Sequence, residues 1–205
     1  MTIAWRVLLA ATLFVAAPLP LWADAGAAPA AGIDDAAEIN PRYLLMDARG
    51  RAVSDEDFAG RFQLLTFGYT SCPDVCPGTL AAMAVILAKL GKLAGQVQPI
   101  FISVDPERDS VEMLRRYTEN FDPRILALSG SPELLRSAAD HYRVTYTKQI
   151  EPGAGPNQYS VDHTVGMYLL GPDGRFLTRY AYTAAPAEIA AKIRARIEAE
   201  AETRQ

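Results

Sequence analysis

The chain has two cysteines, Cys72 and Cys76, both in the stretch "GYTSCPDVCPGTL", with a proline after each. A thiol acts as nucleophile or metal ligand in its thiolate form. A four-residue step lets the two sulfurs bond to each other or share an ion. A structural staple is the weakest reading, because a bridge closing so short a loop restricts the unfolded chain little. A redox pair and a pair of metal ligands both remain. Pro77 suits the first turn of a helix, which predicts Cys76 as its N-cap and a thiolate favoured there by the positive helix end. Pro73 and Pro77 fix two φ angles and keep the loop out of the helix. Asp74, between the cysteines, reads first as a turn-stabilising residue.

A third donor must come from elsewhere. Of the two histidines, His141 in "AADHYRV" falls near a predicted helix C-terminus and reads as a solvated, dipole-compensating residue. His163 in "YSVDHTVGMYLL" falls at the mouth of a predicted buried strand. In a thioredoxin-like sheet that strand would lie beside the one feeding the cysteine loop, bringing His163 within reach of both sulfurs. Two thiolates and an imidazole form a soft, low-coordinate set suited to Cu(I), or to Cu(II) with a further ligand. Structural zinc would want a fourth ligand. Asp162 could hydrogen-bond the imidazole, as partners of ligating histidines usually do.

The surrounding pattern supplies such a scaffold. "PRYLLMDARGRAV" reads as a small hairpin and "RFQLLTFGY" as a buried strand running into the cysteine loop. Leu80, Met83, Ile86, Leu87, Leu90 and Leu93 recur at helical spacing up to Gly95. "VQPIFISVD" and "ILALSG" read as strands. Between them, Asp109 and Glu112 form a predicted capping box for a helix with Val111, Leu114, Tyr117 and Phe121 on its apolar face. Ser131-Pro132 starts a further helix. "VTYTKQ" is a strand, "IEPGAGPNQ" a loop, and "TVGMYLLGPDGRFLTRYAY" two strands around a "PDG" turn. Pro186 opens a last helix bearing Ile189, Ile193 and Ile197, and "EAEAETRQ" is a solvated tail. This alternation predicts an α/β fold with helices on both faces of a central, largely parallel sheet and a final antiparallel hairpin. Chemistry in such sheets gathers at the carboxyl ends of the strands, where the cysteine loop lies.

With 205 residues, half of them hydrophobic, the chain can bury a core without a disulfide. A net charge of −4 with no basic block argues against nucleic-acid binding. Arg6, the apolar run "VLLAATLFVAA" and the small residues of "ADA" have the layout of a secretory signal over residues 1–25, with a linker over 26–38 and one domain over 39–205. The rival reading is an uncut anchor, but Val7 to Ala23 is short for a span and contains Pro18 and Pro20. Either way the domain is expected outside the cytoplasm, in a periplasm or anchored to the inner membrane facing it. Disulfides are chemically allowed there.

Three blocks, "FGYTSCPDVCP", "FISVDPERD" and "VDHTVGMYLLGPDGRFL", resemble in order the motifs of the SCO/SenC family of copper-binding proteins, which assist cytochrome c oxidase assembly. The resemblance covers about residues 39–200. It implies a thioredoxin-like three-layer α/β/α sandwich with a central mixed sheet and an N-terminal β-hairpin. It also implies Cys72, Cys76 and His163 as copper ligands, with Cu(I) favoured over Cu(II). Asp74 and Asp162 match motif acids, and Asp105 and Pro106 match a structural or partner-facing position. The implied role is an exported copper chaperone rather than an enzyme, delivering to the binuclear copper site of the copper-bearing oxidase subunit. An upstream periplasmic copper donor or thiol reductant is a second expected partner, and the membrane is met only through the N-terminal segment. The alternative is a thiol-disulfide reductase that uses Cys72 and Cys76 to keep the oxidase cysteines reduced. General thioredoxin-like reductases usually carry a proline just before the strand equivalent to that of His163, where this chain has Ser160, Val161 and Asp162.

Overall fold

The computed structural model describes residues 39–155 and 157–203. The expected signal or anchor (1–25) and the linker (26–38) lie outside the described residues, as does Pro156. The chain opens with the hairpin β1 (Leu44–Asp47) and β2 (Ala52–Ser54), then β3 (Phe62–Gly68), α1 (Val75–Leu90) and β4 (Val97–Ser103). There follow α2 (Val111–Glu119), β5 (Leu126–Ser129), α3 (Pro132–His141), β6 (Tyr146–Ile150) and β7 (Tyr159–His163). The strands β8 (Met167–Leu170) and β9 (Phe176–Tyr180) and the helix α4 (Pro186–Thr203) complete it.

Seven strands form one sheet in the order β2-β1-β5-β4-β3-β8-β9. Its centre, β5-β4-β3, is parallel, and β1 and β8 flank it antiparallel. Every residue of β3 is buried, as expected of a strand covered on both faces. Its side chains alternate between two cores. Leu64 joins Leu80, Met83 and Leu87 of α1 and Ile189 and Ile193 of α4. Leu65 and Phe67 join Leu135, Ala138 and Tyr142 around α3. The three-layer sandwich expected from the sequence is therefore present. The helical stretch Val75–Gln96 is long and apolar enough to cross a membrane by length and composition, but its leucines fill the first of these cores.

Four local expectations are corrected. The N-cap of α1 is Asp74, so Cys76 stands in the first turn and not at the cap. The N-cap of α2 is Ser110, whose hydroxyl accepts from the Met113 amide. Asp109 is drawn instead into a buried hydrogen-bond cluster. His163 does not begin the buried strand β8: it ends β7, which pairs with β6 in a separate two-stranded sheet. β8 is the strand beside β3. Lastly, α4 runs on to Thr203, through most of the expected tail, in a stretch of good helix formers.

Candidate metal centre

β3 delivers the chain to the cysteine loop at Gly68, and Tyr69 and Thr70 carry it past the carboxyl end of the strand. The sulfur of Cys72 accepts from the Cys76 amide at 3.4 Å. It thus fills the place of a capping side chain, because Asp74 makes no side-chain cap bond. Burial works against its thiolate, but the amides of Asp74, Cys76 and Val75 outweigh that and hold the Cys72 pKa below its ordinary value. Cys76 is buried, and burial pushes its thiol up despite the Tyr69 amide; the neighbouring Cys72 and Asp109 charges push it further. The expectation of a favoured thiolate at Cys76 is therefore reversed: the helix end acts on Cys72.

His163 turns back over this loop from the end of β7. Its Nε2 is 3.5 Å from the Cys76 sulfur, and its Nδ1 is 3.1 Å from the Thr164 carbonyl oxygen. A carbonyl can only accept, so this hydrogen bond requires a proton on Nδ1 and turns Nε2 towards the sulfurs, where the neutral ring presents its lone pair. The orienting partner is this carbonyl. Asp162 instead accepts from the Gln149 amide nitrogen at 2.9 Å, on the exposed side of the hairpin. The Tyr69 ring packs edge-on against the imidazole at 5.9 Å between centroids.

The three ligand atoms of Cys72, Cys76 and His163 lie within 4.8 Å of one another. An ion held by bonds of about 2.0–2.3 Å sets three trigonal ligands about 3.5–4 Å apart. Closing onto an ion thus requires movements of under about 1 Å. Among the described residues this is the one cluster of three such donors. His141 closes α3, away from it.

A model of the SCO1/SenC family matches residues 31–198. The chain belongs to the SCO1/SenC family. It is 41% identical over 158 residues to the human mitochondrial SCO2 homolog, an alignment covering 74% of this chain and 57% of that protein. The chain thus spans little more than half the length of this curated relative. Copper-bound ScoI from Arabidopsis thaliana superposes with a TM-score of 0.70 at 35% identity, over 77% of this chain and 96% of that one. Copper-bound ScoI from Bradyrhizobium japonicum gives 0.68 at 40% identity, over 75% and 96%.

In this SCO1/SenC chain the turn between β4 and α2 holds the site from beneath, and the sequence reading missed its role. Asp109 accepts from the Thr70 amide (3.0 Å) and hydroxyl (2.5 Å) and from the Ser103 hydroxyl (2.6 Å), which ties down the start of the cysteine loop. Burial raises the Asp109 pKa, partly opposed by these hydrogen bonds. Asp105, fully buried, takes a 2.5 Å bond from Arg108 Nε and a 2.7 Å bond from the Tyr159 hydroxyl. Asp105 is therefore structural, one of the two roles expected for it. The signal was present in "VDPERD": three acids and an arginine in six residues, of which Asp105 and Asp109 are buried. Assigning Asp109 to a helix cap hid it.

Proposed function

We propose that this protein is an exported copper carrier whose Cys72, Cys76 and His163 take up copper and pass it to the copper-bearing subunit of cytochrome c oxidase. The observation that carries the reading is the convergence of two thiol sulfurs and one imidazole nitrogen within 4.8 Å. A soft set of this kind suits Cu(I). The copper in the two similar ScoI structures supports the choice of metal, and the family's link to oxidase assembly supports the client. Copper is cargo here. Cys72, partly exposed and held towards its thiolate, is the ligand that an incoming thiol displaces first; Cys76 and His163 hold the ion while the exchange proceeds. A Cys72–Cys76 disulfide would remove both sulfur ligands, so reduction precedes loading. Residues 1–25 direct export, cleaved to leave a periplasmic domain or retained as an inner-membrane anchor, and residues 39–205 are the working unit.

The test is X-ray absorption on the reduced protein after Cu(I) addition, beside His163→Ala. One copper per chain with two sulfur ligands and one nitrogen ligand is expected, the nitrogen and part of the affinity being lost in the variant. Unchanged affinity and coordination in H163A would overturn the three-ligand site. A second reading, thiol-disulfide exchange with the oxidase cysteines, draws on the unequal thiols: a partly exposed Cys72 disposed to attack and a buried Cys76 disposed to resolve. Fast turnover of generic disulfides, undiminished in H163A, would favour it.

A further inference from the structure

Arg108 sits where the two halves of the site meet. From the turn after β4 its Nε bonds Asp105, while its Nη1 reaches across to the carbonyls of Tyr159 (2.7 Å) and Asn157 (3.3 Å), at the start of β7. Its guanidinium carbon lies 3.6 Å from the Tyr159 ring centroid and 5.6 Å from that of Tyr69. Tyr159 closes the loop by donating its hydroxyl to Asp105. β7 ends four residues later at His163, with Val161 between them buried in the core around α3. The Tyr69 ring in turn packs on the imidazole. The side chain is 13% exposed, and the carboxylate it neutralises is inaccessible. The hairpin carrying His163 pairs with no strand of the main sheet, so the ladder does not fix its place. Side chains must.

We infer that Arg108 is a positioning residue for His163, clamping β7 to the β4–α2 turn and backing the Tyr69 ring against which the imidazole rests. A planar guanidinium can bond a carboxylate and a carbonyl at once while stacking on a ring; an ammonium cannot. The consequence for metal binding rests on the copper reading above. Its geometric part does not.

The test is a cycle of Arg108→Met, His163→Ala and the double variant, with Cu(I) affinity read by competition against a chromophoric chelator. Removing a residue that orients a metal ligand typically costs 10- to 100-fold in affinity, so R108M is expected to bind at least about tenfold more weakly. Added to H163A it should cost nothing further, because its effect passes through the imidazole. A loss of equal size in the H163A background would overturn the inference by showing that Arg108 serves the fold at large. R108M leaves Asp105 buried and uncompensated, so Arg108→Met with Asp105→Asn is measured too; wild-type affinity in that variant would also overturn it. Arg108→Lys is expected to fail like R108M, and full rescue by lysine would refute the bidentate clamp. Contacts between the Tyr69 and His163 rings, read by NMR in the metal-free protein, separate the two claims. If the wild type takes up no Cu(I), the carrier reading falls, and the positioning role stands or falls on whether R108M loses those contacts.

Discussion

Gly68, the last residue of β3, offers a sharp test of how tightly the cysteine loop is packed. A methyl group built on it would stand 2.7 Å from the Cys76 sulfur and 2.8 Å from the Phe101 ring. Ordinary carbon contacts begin near about 3.5 Å, so the sulfur must retreat by about 0.8 Å and the ring by about 0.7 Å. Neither has room: Cys76 is 2% exposed and Phe101 1%. The backbone is not the obstacle, since Gly68 has no positive φ. Gly68→Ala therefore overpacks a full core, which costs about 1–3 kcal/mol. In a domain of this size each kcal/mol lowers Tm by about 2–4 °C, so Tm should fall by about 2–12 °C. The sulfur is the smaller obstacle, and it sits in the first turn of α1 while Phe101 sits in a central strand, so the sulfur moves further. A displacement of about 0.8 Å exceeds the tolerance of about 0.5 Å that a preorganised site allows. Cu(I) affinity should therefore fall by more than the stability loss alone explains. Thermal unfolding of the metal-free protein and chelator competition of the loaded one measure the two effects. A G68A protein with unchanged Tm and unchanged affinity would show that the loop is looser than these distances state.

Three further outcomes follow from the same structure. In the reduced, metal-free protein at pH 8, iodoacetamide should alkylate Cys72 well before Cys76. The Cys72 pKa lies below the ordinary 9.0 and that of Cys76 above it, so the Cys72 rate should rise with pH through a half-maximum below pH 9 and that of Cys76 through one above it; mass mapping that finds Cys76 modified first would refute the assignment. Gly166 has φ +134° and a Cβ there would meet the Tyr180 carbonyl oxygen at 2.7 Å, so Gly166→Ala should cost at least about 1–3 kcal/mol in urea unfolding. Asp109→Ala strands the Thr70 amide and two hydroxyls, and should destabilise by about 2–4 kcal/mol in the same assay; a loss under 0.5 kcal/mol would mean that water replaces the carboxylate.

The elements that obey a simple period were legible. The apolar repeat of α1, the buried run of β3 and the turn at "PDG" all stand where the spacing put them. What failed were choices between local and distant partners. Asp109 has the right spacing for a capping box with Glu112, but capping is worth about 1 kcal/mol, while a buried carboxylate meeting three donors replaces a larger loss. Pro77 suggested the first helical position, and the helix starts earlier because the Cys72 sulfur can receive first-turn amides that Asp74 leaves free. β7 was invisible because "YSVDH" buries little besides Val161 and pairs only with β6. The three expected donors meet in space even so, since motif order linked them where strand assignment did not.

The placement of the imidazole bears on the choice between carrier and thiol exchanger. An exchanger gains from a base or cation beside its attacking sulfur, which must be accessible and readily ionised. Here the accessible, more acidic sulfur is that of Cys72, and it is served by the amides of α1. The imidazole nitrogen lies against Cys76, the buried sulfur whose thiol resists ionisation. A base in that position activates the less useful thiol. A ligand in that position completes a set around one ion, whose positive charge would supply what burial denies the second thiolate. The hydrogen bond from Nδ1 to the Thr164 carbonyl favours the same conclusion, because it fixes the ring orientation and turns Nε2 towards the sulfurs, as ligation requires. Cys76 thus makes chemical sense as a ligand before it makes sense as a redox partner.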